Sequence, residues 1–485
     1  MTRNVILNLA GQSAPALAAL IGLPILAREL GEARLGVLAL VWAAVGYFSI
    51  LDLGLGRALT QAVAARLAAG REATLGTFIL SAWLALAGVG LLSGAILALI
   101  GPAAAANLNT ADALAREVEQ CVYLVAVAAP LLTLSAGARA ALEGRQRFAD
   151  VNAVRIPLGM ATYLGPTLAL PFTNSVAVAA SFLVGARALA LVAYVVLALR
   201  SIPKPSLSGA VAPGELWGFL RSSAWMTANN LVGSVLAYVD RIVVGAKLPI
   251  ASVAYYSAPQ ELVLKLSAIP AALGTTIFPA FAARSVLRSD ELTALYARGC
   301  AFVFFALFPV TLVVAAFAPE WVRLWLGAEY AVAGAPVARW FAFGILINGL
   351  AVVPLALLQA TGRERTTTLL QAAQVPLYLW ALWFLISRFG IVGAAAGWTL
   401  RTSVDALLLY GAAARQVTGR YIPGPITVLL ALLSAGAFVV TTSTGSLTVR
   451  GAACSAAVVL SAWAAARAVD VRRTLFALSW LRRSD

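Results

Sequence analysis

Apolar stretches of about 20 residues, each closed by a short polar turn, follow one another along almost the whole chain, and that length crosses a bilayer core as a helix. The pattern is clearest from Pro24 to Arg66. One apolar run ends at Ala27, a charged loop from Arg28 to Arg34 follows, and a second run starts at Leu35 and closes on the segment from Asp52 to Arg57. Two spans joined by a tight turn explain this stretch. The same rule predicts about fourteen spans in all. They run over Val5–Ala27, Leu35–Leu55, Leu75–Ile100, Val118–Ala138, Ala153–Phe172, Val176–Leu199 and Ser223–Ala246. The second half adds Ser252–Phe278, Cys300–Ala318, Ala335–Gln359, Thr367–Ile386, Ile391–Ala413, Ile426–Val440 and Gly451–Val469. The first run is longer than a secretory h-region and more spans follow, so it is expected to remain as a signal anchor.

Composition agrees with an all-α integral membrane protein. The chain of 485 residues is 61% hydrophobic and 11% charged, whereas soluble domains carry about a quarter charged residues. Net charge is +15, but the basic residues stand singly between apolar runs, without a patch that would hold nucleic acid. They sort by loop instead. With the N-terminus inside, about 22 of the 35 Lys and Arg fall in cytoplasmic gaps, among them Arg57, Arg66, Arg71, Arg139, Arg145, Arg147 and Arg155. Only about seven, including Arg28, Arg34, Arg116, Arg323 and Arg450, fall outside. The positive-inside rule then predicts that both termini are cytoplasmic.

The chain has no histidine, the commonest general base and metal ligand. Its three cysteines, Cys121, Cys300 and Cys454, are far apart and read as buried free thiols rather than a metal or disulfide framework. No cofactor is expected. The proline-bearing gap 201–222 reads as a cytoplasmic linker between an N-terminal lobe, 1–200, and a C-terminal lobe, 223–420; residues 421–485 add two helices and a tail. That tail, Arg467–Arg483, mixes arginines with Leu475, Phe476, Trp480 and Leu481 and is expected to lie on the inner leaflet. The turn at 27–36 also has a weak echo at 245–254, as internal repeats in transporters would give.

Five short motifs share one order along the chain. They are Pro24–Gly36, Tyr47–Gly56, Asp240–Gly245, Tyr255–Lys265 and Ile277–Phe281. Together they resemble the Wzx-type polysaccharide flippases of the multidrug/oligosaccharidyl-lipid/polysaccharide (MOP) exporter superfamily. The resemblance implies two six-helix lobes around a central cavity plus two C-terminal helices. It also implies a bacterial inner-membrane protein that moves an undecaprenyl-diphosphate-linked oligosaccharide from the cytoplasmic to the periplasmic leaflet by alternating access, with H+ or Na+ as a coupling ion.

Charges inside spans locate the candidate site, because each costs about 2.5–3.5 kcal/mol to insert and needs a partner or water. Arg187 lies near mid-span with no carboxylate within four residues, and Lys265 lies at similar depth on the eighth span. Glu261 and Lys265 are four residues apart, as are Arg401 and Asp405, so either pair could close an intrahelical ion pair or face a ligand. Arg187, Lys265, Arg401 and Arg28 form the candidate cationic lining; Asp240, Glu261, Asp405 and Asp52 are candidates for coupling or pairing. Snorkelling or capping is the plainer reading for Arg28 and Asp52. A cationic lining suits a diphosphate, whose oxygens match the guanidinium fork.

Three rivals stand beside the flippase. A drug or cation antiporter of the same superfamily would want an unpaired mid-span acid. A membrane enzyme of envelope-glycan assembly would want larger outside loops than the longest here, Gly101–Glu117. A passive channel would want a filter motif. Prolines at Pro24, Pro130, Pro157, Pro270, Pro279 and Pro354 offer bends in any of these.

Overall fold

The computed structural model describes residues 2–51, 53–202, 232–233, 235–284, 289–415, 436–443 and 446–468. Regular structure in the described residues is helical throughout. In chain order the helices are α1 (Thr2–Leu51), α2 (Leu53–Ala68), α3 (Leu75–Ala105), α4 (Asp112–Gly144), α5 (Phe148–Ala169) and α6 (Val176–Ser201). Next come α7 (235–247), α8 (Ala251–Leu264), α9 (Ala268–Arg284), α10 (Ser289–Ala316), α11 (Ala318–Leu326), α12 (Ala328–Ala360) and α13 (Glu364–Ala414). Last are α14 (436–443) and α15 (Leu447–Ala468). Seven helices in the described residues are long and apolar enough to cross a membrane. The protein is an all-α integral membrane protein.

Two of the expected turns shrink to a single glycine. The first two spans form one helical run, α1, broken only at Gly31, whose φ of 73° and ψ of 169° suit a residue without Cβ. Spans eleven and twelve likewise share α13, broken at Gly390 with φ 59° and ψ −139°. The eighth span departs from expectation in the other direction. It is not one helix: a 3-10 turn, Lys265–Ser267, separates α8 from α9. Pro270 explains the break, since its ring clashes with the carbonyl four residues back, at Leu266, and donates no N–H. Lys265 therefore sits where the helix loosens.

The gap after α10 also holds structure that the apolar runs did not announce. α11 buries Ala318, Val322 and Leu326 on one face and leaves Leu324 exposed, the stripe of a short helix lying along a surface. Trp321 Nε1 donates to the Val314 carbonyl at 2.9 Å and pins it to α10.

Contacts divide the chain into two units, Met1–Ala258 and Pro259–Asp485. The expected linker lies almost wholly outside the described residues. So do the tail 469–485 and most of span thirteen.

In the first unit α4 packs against α3, α6 and α2. Gly90 and Gly94 let α3 come against Pro130 and the Ala126 carbonyl of α4, the small-residue contact that apolar solvent favours. In the second unit α12 holds the centre, against α13, α10, α11 and α9. The two turns that echo each other meet inside the first unit. A Cβ on Gly36 would run into the Ile250 carbonyl, so only glycine permits that approach. Asn109 fastens the second turn: its N–H donates to Gly245 at 3.4 Å and its carbonyl accepts from Ile250 at 3.1 Å.

Candidate functional site

Arg187 stands on α6, about 17 Å along the axis from the helix start at 1.5 Å per residue. Its guanidinium Nε is buried and meets no hydrogen-bond partner, and no ion pair reaches the side chain among the described residues. Tyr238, on α7, is its electrostatic neighbour. The Tyr238 ring in turn lies against α1, where a Cβ on Gly46 would come within 2.5 Å of Tyr238 Cζ.

Asp240 follows on the same helix, fully buried. The Tyr256 hydroxyl of α8 donates to its Oδ2 at 2.5 Å, and the Arg241 N–H donates to its Oδ1 at 2.9 Å. Arg241 is buried as well, with its guanidinium 5.7 Å from the Tyr238 ring centre. The first unit thus gathers two guanidiniums, two phenols and one carboxylate on α6, α7 and α8. The balance of charge is positive, and a hydrogen bond holds the carboxylate.

The second unit treats its two sequence-predicted pairs differently. Lys265 Nζ lies 3.5 Å from Glu261 Oε2, with the lysine side chain 34% exposed. Arg401 and Asp405 do not pair. Asp405 accepts from Gln374 Nε2 at 2.9 Å, while the Arg401 guanidinium lies 5.6 Å from the Tyr378 ring centre and its buried Nε has no partner. Both partners come from the other half of α13, which the break at Gly390 folds back alongside. A competing helix therefore wins over the i,i+4 neighbour.

Arg28 is exposed on α1, just before the Gly31 break. Asp52 lies outside the described residues. Arg187 and Lys265 belong to different units.

Two carboxylate clamps were invisible in the sequence. Glu117 Oε1 accepts from Arg34 Nη2 at 3.0 Å and Nε at 3.2 Å. Its Oε2 accepts from Ser175 Oγ at 3.0 Å and from the Val176 N–H at 2.6 Å. One side chain so joins the α1 turn, α4 and the start of α6, where a helix N-terminus favours negative charge. In the second unit Glu320 takes both ends of the Arg450 fork, at 2.6 and 3.1 Å, and Arg450 Nη1 also donates to the Ala316 carbonyl at 2.9 Å. The partners are 83 and 130 residues apart. Loop charge marked Arg34 and Arg450 as outside cations but could not name what they hold.

An arginine without a carboxylate inside a helix long and apolar enough to cross the membrane can bind an anion with its guanidinium fork. Similar proteins cover most of the chain. A protein of Shigella flexneri, a proposed O-antigen transporter, is 28% identical over 409 residues, 84% of this chain and 96% of its own. Two solved structures share the fold. A multidrug resistance MATE family transporter of the MOP superfamily in an inward-facing conformation superposes with a TM-score of 0.71 at 14% identity, over 85% of this chain and 96% of its own. The lipid II flippase MurJ in an inward closed conformation superposes with a TM-score of 0.73 at 11% identity, over 94% and 98%. Residues 1–285 match the family described as polysaccharide biosynthesis protein, and all five motifs lie within that match. The chain belongs to the polysaccharide biosynthesis protein family.

Proposed function

We propose that this protein is a flippase that moves an undecaprenyl-diphosphate-linked oligosaccharide from the cytoplasmic to the periplasmic leaflet of the bacterial inner membrane. Family membership and the O-antigen transporter relative support the substrate class. The observation that carries the reading is Arg187, a mid-span guanidinium with a buried, unpartnered Nε beside a tyrosine. A diphosphate would take up that fork through charge-assisted hydrogen bonds. Arg401 offers the same feature in the second unit, and Lys265 adds a point charge that Glu261 holds when the site is empty. Arg28, at the edge of its span, meets the headgroup on its way.

Both termini face the cytoplasm in this reading, and the two lobes alternate access to the site. A buried carboxylate, Asp240 or Asp405, is the proton- or Na+-coupling group, with Asp52 as a further acid near the inner end of its span. No catalytic role is assigned to any residue.

The test is Arg187→Ala in a strain that lacks the chromosomal copy, read as glycan at the cell surface per unit of protein in the membrane. Export should fall at least tenfold with insertion unaffected, since removing an intramembrane charge eases insertion. Arg187→Lys should keep part of the activity, because it retains charge and loses the fork. Full export by Arg187→Ala would refute the reading. A superfamily drug antiporter is favoured by one observation, the fully buried Asp240 with its Tyr256 hydrogen bond. Asp240→Asn would then abolish drug efflux, whereas in the flippase it slows glycan export.

A further inference from the structure

A second cationic feature lies in the second unit, beside the N-terminal half of its central helix, α12. α12 and α14 enclose an open cleft of about 450 Å³ lined by Arg339, Trp340, Phe343, Phe438, Val439 and Thr442. Its volume lies in the range of small-molecule sites, and its walls are mostly apolar. Among the described residues of the lining, Arg339 is the only charged one. Its Nε is buried without a hydrogen-bond partner, and no ion pair reaches it among the described residues. The nearest charges do not neutralise it. Glu320 and Arg450, both within electrostatic reach of Arg339, are locked to each other by the two-pronged contact described above. The local balance is therefore one excess positive charge at the head of an apolar trough. Trp340 and Val439 leave 40% and 62% of their surface open there.

We propose that this cleft holds an anionic phospholipid of the outer leaflet, with its phosphate on Arg339 and the first part of an acyl chain along Phe343, Phe438 and Val439. Charge complementarity chooses the head: a guanidinium takes two phosphate oxygens at once. The apolar lining chooses a lipid over a free anion, because an inorganic ion would leave the aromatic walls wet or bare. Loop charge places this end of α12 outside, and the tryptophans Trp321, Trp325 and Trp340 belong at such an interface. None of these groups is required by the transport reading, so the lipid site stands or falls separately.

Native mass spectrometry of the full-length protein in detergent tests this, with phosphatidylglycerol and phosphatidylcholine as probes. The wild type should hold phosphatidylglycerol at about tenfold lower lipid concentration than phosphatidylcholine, as a charge-assisted contact gives. Arg339→Gln should erase that preference and Arg339→Lys should keep part of it. Val439→Trp, which fills the trough and leaves the charge in place, should weaken both lipids. Circular dichroism and gel filtration establish that each variant is folded. An Arg339→Gln protein with undiminished preference for phosphatidylglycerol would overturn the proposal. So would unchanged lipid retention in Val439→Trp, or displacement of the bound lipid by glycerol phosphate alone.

Discussion

The arginines at helix ends and the arginines inside helices live by different rules in both units. At the ends, Arg34 and Arg450 each meet a glutamate with two guanidinium nitrogens. Inside, Arg187 and Arg401 meet no carboxylate among the described residues; Arg401 lies over the Tyr378 ring, and Tyr238 is within electrostatic reach of Arg187. Both arrangements tolerate a cation, but by different means. A carboxylate uses up the fork and fixes two segments to each other. An aromatic face attracts the charge without occupying the N–H groups. The first builds a fastening; the second leaves a donor set free for an anion that comes and goes.

The strongest way to break the distinction is to give an inner arginine the carboxylate it lacks. Leu191 stands four residues beyond Arg187 on α6, within reach of an intrahelical pair. Leu191→Glu should close the fork and cut glycan export tenfold or more, while Leu191→Gln, similar in size and uncharged, should export far better. Equal export by the two would mean that the free fork of Arg187 is immaterial.

The converse applies at an end. Glu117→Ala removes the acceptor for Arg34, Ser175 and Val176 together, and hydrogen bonds to a charged group are worth about 1.5–3 kcal/mol each when lost. Glu117 is 16% exposed, so the expected loss in a denaturant titration is about 2–3 kcal/mol after allowing for water. Export per folded molecule should not change. A stable protein that fails to export would place Glu117 in the transport step instead.

Smaller effects sharpen the role of the rings. Tyr378→Leu should lower export a few-fold, in line with about 0.5–2 kcal/mol for a cation over an aromatic face, and Tyr378→Phe should be close to wild type. Loss in both variants would credit the hydroxyl rather than the ring. Smallest of all is Glu261→Gln. Its partner Lys265 is a third exposed, so stability should move by less than about 1 kcal/mol. Affinity for a diphosphate lipid should rise, because the ammonium is no longer held. A fall in affinity would make Glu261 a direct ligand or a support for the fold.

Much of this architecture is legible in the chain itself. Apolar run length and loop charge depend only on local sequence, since each span must be long enough and apolar enough for the bilayer whatever it packs against. The helical class, a break in the chain within 28–34 and the placement of Arg187 and Arg401 inside helices follow from that alone. The family resemblance rests on motifs that are local as well.

Partnership is another matter. Whether Arg401 pairs with Asp405 depends on what else reaches Asp405, and Gln374 reaches it only because α13 doubles back at Gly390. Glu117 finds Arg34, and Glu320 finds Arg450, across 83 and 130 residues, distances over which sequence spacing carries no geometry. The break at Lys265 lies between the two: Pro270 announces it, yet an apolar run counted by length hides a turn of 3-10 helix. Which groups must enter the membrane is written in the order of the residues, because burial in lipid is settled segment by segment. Which of those groups are satisfied, and which stay open to a ligand, follows only from how the helices pack, because a hydrogen bond within 3.5 Å is a fact about neighbours in space.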